Sequence, residues 1–414
     1  MSFPLLEGVR VIEMGLLMPA DQVGANLADL GADVIKVEIP PYGDYVRDLG
    51  GILAPGLSEF HLFHNRNKKS FAINLRTEEG QKQFHKLVAT ADVLYESGTP
   101  GSKNKIKADY ETIVGINPNI IYASYNPYGN KGPYSNMPSH GWGISAFANS
   151  SPIERMEDGR LRIGRSGPRG GQTDIGPWLA ALCIAAAVVR KLKTGKGAHL
   201  DIGMTDCLIY AQHSEAFRIL NGFKEGLNHF DPAPGAHTSN PIRFNYYDCQ
   251  DGGILAFQAV ELKFWQNFCR VVNRPDWLPK EPWPIAVDMG VNEPEIEKEM
   301  IALFKTKPLQ EWIRILSNED VPVTAGYTLP QVLQDDHVKV RQLISEYDHP
   351  GFGHVKQLSF PMLMDGVEFK TTRPAPYGGQ DNEDILKELG LSTKEIQGLR
   401  DQGVIGEDTR LLKK

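Results

Sequence analysis

Two short β-branched runs, 9–13 (VRVIE) and 33–38 (DVIKVE), bracket a stretch of helical periodicity, 20–30, that stops at Gly31. Strand, helix and strand within about 30 residues is a βαβ unit, which requires a parallel sheet and a right-handed crossover. The alternation continues with a strand over 70–74, an amphipathic helix over 78–89, a strand over 93–95, a helix over 110–116 and a strand over 120–124. The N-terminal third is therefore expected to be doubly wound α/β.

After a loop-rich stretch over 126–173, an apolar helix is expected over about 175–194, followed by a turn, a strand and another helix in TGKGAHLDIGM. From about residue 225 the texture changes to paired aromatics and a hairpin pattern, YYDCQDGGILAF, with Asp251, Gly252 and Gly253 at the turn. This divides the chain into a large α/β domain, 1–224, a smaller α+β domain, 225–330, and a return to the large domain over 331–414. Aromatics gather at 125–145 and 244–265, where a packed core and a pocket for a bulky acid are both open readings.

Composition narrows the function. A net charge of −7 argues against a nucleic-acid partner but leaves a phosphate-bearing small ligand open. The apolar run 178–189 is shorter than the roughly 20 residues that span a bilayer, so it reads as a buried helix, with no membrane role. Cys183, Cys207, Cys249 and Cys269 form no CxxC pair, so buried free thiols in a reducing, cytoplasmic setting are expected, with no metal site. The start of the chain has neither a basic n-region nor a small-residue cleavage site.

The common signatures GxGxxG, GxxxxGK[ST], GxSxG and HExxH are absent. What remains is Gly170-Gly171-Gln172-Thr173-Asp174, a carboxylate directly before the apolar helix. Two readings of Asp174 are open: an N-cap that satisfies backbone N–H groups, and a carboxylate nucleophile or proton acceptor supported by the helix terminus.

The ordered fragments LEGVRVIE, LADLGADVIKVEIPPYGD, NRNKKSFAINLRTEEG, ADVLYESGTPG, NPNIIYAS, YGNKGPYS, the Asp before an apolar helix, and TGKGAHLDIGMTD resemble CoA-transferase family III, which includes the formyl-CoA and carnitine CoA-transferases and α-methylacyl-CoA racemase. That resemblance covers essentially the whole chain. It implies a Rossmann-like large domain made from both chain ends, and two chains threaded as interlocked rings. It also implies that Asp174 attacks an acyl-CoA thioester to give a mixed anhydride, captures CoA as an enzyme thioester and passes it to a second acid. Gly170 and Gly171 would supply oxyanion donors. Leu16, Leu17, Met18, Lys68, Lys69, Ser97, Lys105, Asn126 and Met204 would line the CoA channel, with CoA a substrate and no tightly bound cofactor. His140, with Asp174, matches the acid/base pair of the racemase branch, and Glu261 matches a carboxylate found in both branches.

Two departures stand out. Ile39 replaces the basic residue the family often places after KxE, and Glu96-Ser97-Gly98-Thr99-Pro100-Gly101 replaces ENFRPG. The stretch 237–241 (HTSNP) has no glycine-rich loop of the formyl-CoA transferase kind, which points away from oxalate and formate as substrates. Transfer of CoA between an acyl-CoA and a carboxylic acid is the favoured reading. Racemisation through His140 and Asp174, and a non-catalytic subunit in a heteromer with a paralogue instead of a homodimer, stay open as alternatives.

Overall fold

The computed structural model describes residues 2–151, 153–163, 171–222, 241–281, 283, 286–291, 293–408 and 410, with backbone alone for 163 and 171–174. Its contacts define two compact units, 1–216 with 339–414, and 217–338.

The first unit is built on six parallel strands: β1 (Arg10–Met14), β2 (Asp33–Glu38), β3 (Lys69–Ala72), β4 (Val93–Glu96), β5 (Ile121–Asn126) and β6 (Ala198–Gly203). They lie in the order β6-β5-β4-β1-β2-β3. The central strands are buried on both faces, which is why they read as near-continuous apolar runs and not as alternating ones. Successive side chains point to opposite sides. Ile12, Ile35 and Leu94 face one core with Phe84, Ile113, Ile385 and Ile396 from the helices Glu78–Ala89, Tyr110–Ile116, Asn382–Glu388 and Thr393–Asp401. Val11, Val34 and Val93 face the other, against α1 (Leu17–Asp29) and the helices Gly141–Phe147, Gly171–Thr194 and Met204–Ala211. The fold is thus mixed α/β with helices on both faces of a parallel sheet.

The far end of the chain joins this unit by defined bonds. Asp381 accepts from the Ser70 N–H at 2.9 Å, Asn382 from the Ala72 N–H at 2.8 Å, and Ile405 bridges Ile73.

The long apolar helix departs from expectation in two ways. It starts at Gly171, so Asp174 stands inside its first turn and is not the N-cap. A carboxylate satisfies the positive end of the helix dipole anywhere in that turn, so residue type alone does not locate the cap. Nor is the helix buried all round: it is long and apolar enough to cross a membrane, yet Leu182, Val189 and Leu192 are exposed while Ala180, Ile184 and Ala187 pack into the core.

In the second unit a three-stranded antiparallel sheet (Asn245–Asp248, Ile254–Phe257, Val323–Ala325) supports the helices Leu262–Val271, Pro294–Phe304 and Leu309–Asn318. The expected hairpin forms with its turn at 249–253. The aromatics Tyr247, Phe257 and Trp265 pack with Phe268, Trp277, Phe304 and Trp312, so this cluster is core. Of the four cysteines, Cys183 is exposed, against the expectation of burial, because it falls on the uncovered face of its helix. Burial pushes the Cys207 and Cys249 thiols up to about 11 and Cys269 to about 12, which leaves them protonated and inert.

Candidate functional site

The strand order reverses between β1 and β4, since β1 leads outward to β2 and β4 leads the opposite way to β5. In open α/β sheets this switch point, at the carboxyl ends of the strands, is where a ligand crevice forms. Residues named by the resemblance lie at or just after strand ends along this carboxyl edge. Leu16 follows β1, Ser97 follows β4, Asn126 ends β5 and Met204 follows β6.

The helix Gly171–Thr194 brings its first turns to the same edge. A Cβ placed on Gly176 would lie 2.4 Å from the Tyr125 Oη near the end of β5 and 3.9 Å from Cys207, just after β6. At its other end Lys191 Nζ reaches Asp92, just before β4, at 2.8 Å. This helix therefore runs antiparallel to the strands, and the turn that contains Asp174 stands at their carboxyl edge. Pro177 has no N–H, so the carbonyl of Thr173 lacks its i+4 donor beside that turn.

The crevice is shaped by backbone. Leu17 has φ +66°, a left-handed conformation that a branched side chain adopts only at a cost and that concentrates at ligand sites. Neighbouring groups hold it: the Leu16 N–H donates to Ser97 Oγ at 3.2 Å and the Leu17 N–H to Asp44 Oδ2 at 2.9 Å. Gly98 follows Ser97 at φ +139°, where a side chain would be strained, and its N–H donates to Asn126 Oδ1 at 3.2 Å. Met18 is half-buried and Met204 buried at this edge.

Beneath the Leu16–Leu17 turn lies a fully buried ionic cluster. Lys36 Nζ contacts Glu13 at 3.0 Å, Asp44 at 3.0 Å, the Gly15 carbonyl at 3.2 Å, and Asp21. Lys68 Nζ contacts Glu13 at 2.8 Å, the Asp21 carbonyl at 2.8 Å and Asn65 at 3.1 Å. Two cations thus meet three carboxylates, and burial, the largest effect, pushes Asp21 and Asp44 up from the usual carboxylate range.

This corrects the expected lysine contacts. Lys68 is wholly buried with its donors taken, so it is a strut and not a phosphate contact. Lys69 pairs with Asp33 at 2.6 Å, and Asp33 begins β2, which puts that ion pair toward the edge of the sheet away from the crevice. The sequence could not separate these cases, because NRNKKS reads equally as a solvated basic patch. Lys105 is exposed in the short helical turn Asn104–Ile106 that follows β4.

Three residues that carry the site were missed. Asp44 ties the turn to the cluster. Lys103 Nζ donates to the Ser97 carbonyl at 2.7 Å and lies 3.6 Å from Glu96, whose carboxyl burial pushes up. The run GSKNKIK offers three lysines with no local signal to rank them.

His140 is exposed at the start of the helix Gly141–Phe147, with no side-chain partner among the described residues. Glu261 precedes the helix Leu262–Val271 in the second unit, exposed and without a capping bond. Gly170 and the Asp174 side chain lie outside the described residues, as do 237–240; Gly171 opens the helix. Among the described residues, no group of three or more His, Cys, Asp or Glu is placed to hold a metal ion. The arrangement offers a crevice whose edge is set by the Leu16–Leu17 turn and Gly98, with a carboxylate residue in the first turn of a long helix.

A family model described as CoA-transferase family III matches residues 6–382. The human succinyl-CoA:glutarate CoA-transferase is 28% identical over 97% of this chain and 90% of its own length. The (R)-2-hydroxy-4-methylpentanoate CoA-transferase of Clostridioides difficile is 27% identical over 97% of this chain and 99% of its own. Among solved structures, a CAIB/BAIF family protein from Brucella suis superposes with a TM-score of 0.72 at 25% identity, covering 94% of this chain and 100% of that one.

Proposed function

Because this chain belongs to CoA-transferase family III, we propose that it moves coenzyme A from an acyl-CoA to a free carboxylic acid, with Asp174 as the nucleophile. The observation that carries this reading is the placement of the first turn of the helix Gly171–Thr194 at the carboxyl edge of the sheet, together with the start of α1 and the switch point. A helix N-terminus favours the carboxylate form, which is the nucleophilic one.

The steps balance without a cofactor. The Asp174 carboxylate attacks the thioester carbonyl and expels the CoA thiolate, leaving a mixed anhydride. The thiolate then attacks the aspartyl carbonyl, releases the first acid as its carboxylate and leaves an aspartyl–CoA thioester. An incoming carboxylate repeats the two steps in reverse, and the new acyl-CoA departs with Asp174 regenerated. Gly170 and Gly171 supply N–H groups to the tetrahedral oxyanions. Leu16, Leu17, Ser97, Asn126 and Met204 receive the pantetheine arm along the crevice, and Lys105 meets the anionic end of CoA. The CoA is a substrate and departs each cycle.

Two copies of the chain pack through the exposed apolar face of the same helix. The finding that all the transferase relatives named above span nearly the whole chain supports an active subunit.

The test is intact and peptide mass spectrometry of enzyme incubated with acyl-CoA in D₂O. A CoA adduct on the Asp174 peptide, and new acyl-CoA formed only when a second acid is present, are expected; both vanish in Asp174→Ala. Deuterium appearing at the α-carbon with no new thioester would mean racemisation and overturn the proposal.

A further inference from the structure

A cavity of about 270 Å³ in the first unit lies beside the long helix, and nothing in the proposed mechanism uses it. It runs along two turns of α1, from Gln22 to Asp29, and is closed by α2 (Glu59–His64) with its trailing residues and by the segment 358–361. Trp178 forms part of its wall and stands four residues after Asp174. Positions four apart share a helix face and are separated by a rise of about 6 Å. One wall of the cavity, Trp178, therefore stands about one turn from the carboxylate residue.

Its chemistry is specific. Phe63, Trp178, Leu358 and Phe360 make it apolar, with the Trp178 and Phe360 rings 5.4 Å apart. Its one cation is already used: Arg66 grips Asp29 through two bonds of 3.1 and 2.5 Å and donates a third to the Phe63 carbonyl at 2.7 Å. A second carboxylate on a ligand would find no counter-charge among these lining residues, and its burial here would go uncompensated. One polar feature is unsatisfied. Asn26 is 2% exposed, its Oδ1 accepts from Gln22 at 3.0 Å, and its Nδ2 has no hydrogen-bond partner among the described residues. Buried donors normally find an acceptor, so a free one at a cavity wall is a donor available to a ligand oxygen.

We propose that this cavity receives the chain of an apolar monocarboxylic acid that carries one hydrogen-bond acceptor, a hydroxyl, oxo or ether oxygen, for Asn26, and that it excludes dicarboxylic acids. The inference rests on Asp174 as the nucleophile for its catalytic consequence, but the binding step can be measured apart from catalysis.

Two measurements separate the claims. Calorimetric titration of the Asp174→Ala protein with octanoate, 3-phenylpropionate, 3-hydroxy-3-phenylpropionate, glutarate and oxalate reads the cavity alone. The three monocarboxylates are expected to bind at least tenfold more tightly than glutarate or oxalate, and the hydroxylated acid more tightly than its parent. Asn26→Leu should erase that last preference. Leu358→Trp, which fills the cavity from an exposed position, should weaken the monocarboxylates at least tenfold and serves if Asn26→Leu does not fold. Transfer assays on the unmodified enzyme with the same acids then read the nucleophile. Binding that follows the expected order, without Asp174-dependent transfer, supports the cavity and sinks the nucleophile reading. Equal binding of glutarate and octanoate, or monocarboxylate binding unmoved by Leu358→Trp, overturns the inference even if transfer proceeds.

Discussion

Asp44 shows how much one side chain decides here. Its Oδ2 accepts the Leu17 N–H and Lys36 Nζ, and its Oδ1 caps Val46 at 3.0 Å. Asp44→Ala removes the acceptor that holds the left-handed Leu17, a loss of about 1 kcal/mol in preorganisation. The expected result is a KM for acyl-CoA raised about fivefold, with kcat changed much less, because the turn binds substrate and does not react; steady-state kinetics with varied acyl-CoA checks it. Lys36→Met has a different outcome, since it leaves the buried Asp21 and Asp44 without their cation while Glu13 keeps Lys68, and it is expected to cost about 3–5 kcal/mol of stability in urea unfolding. His64 sets an acid limit. It is buried, its Nδ1 lacks a hydrogen-bond partner among the described residues, and burial followed by Lys68 and Arg66 lowers its pKa to about 3. A depressed folded value means that its contribution is complete above the ordinary histidine range, about 6.5, and is lost as pH falls from there toward 3, by about 1.4 kcal/mol per pH unit. Asp21, Asp29 and Asp44 are raised and act in the opposite sense, stabilising at low pH and losing that as pH rises through their folded values. Comparing urea midpoints at pH 7.5 and 5.5 isolates the histidine: His64→Phe should lose about 1.4 kcal/mol less than the parent over that interval.

At the level of elements, the long helix is registered against β5 by a contact with no room to spare. Gly176 lies where any Cβ would meet the Tyr125 Oη at 2.4 Å, while the ring carbon behind it would be 3.5 Å away. That hydroxyl is buried and unpartnered among the described residues. Gly176→Ala should therefore push the start of the helix outward and cost about 1–3 kcal/mol, together with most of the transferase activity, since Asp174 rides on that turn. Tyr125→Phe alone should be neutral or slightly stabilising, because it deletes an unsatisfied polar group. In the Tyr125→Phe background, Gly176→Ala should recover stability and activity; equal loss in both backgrounds would show that the contact does not set the register. The sequence foretold the strands, the helix and the hairpin through period and punctuation, yet placed the helix start four residues late, because a carboxylate serves a cap and a first turn alike.

For the molecule as a whole, the exposed Leu182, Val189 and Leu192 leave one face of the long helix apolar, the kind of surface that marks an interface. Sedimentation is expected to give twice the mass of one chain, and Leu182→Glu with Leu192→Glu should shift it toward a single chain or to insolubility. The sequence by itself determined the alternating elements, the parallel sheet and the family, because period, turn residues and ordered motifs are local and survive being read one residue after another. The family resemblance also named Leu16, Leu17, Ser97, Asn126 and Met204, which lie at or just after strand ends along the carboxyl edge of the sheet. Only the tertiary structure decided that Lys68 is a buried strut, that Lys69 pairs with Asp33 toward the other edge, and that Asp44 holds the crevice. Burial and charge pairing are made by residues far apart in the chain, Lys68 with Glu13 across 55 positions, and no local pattern carries that information.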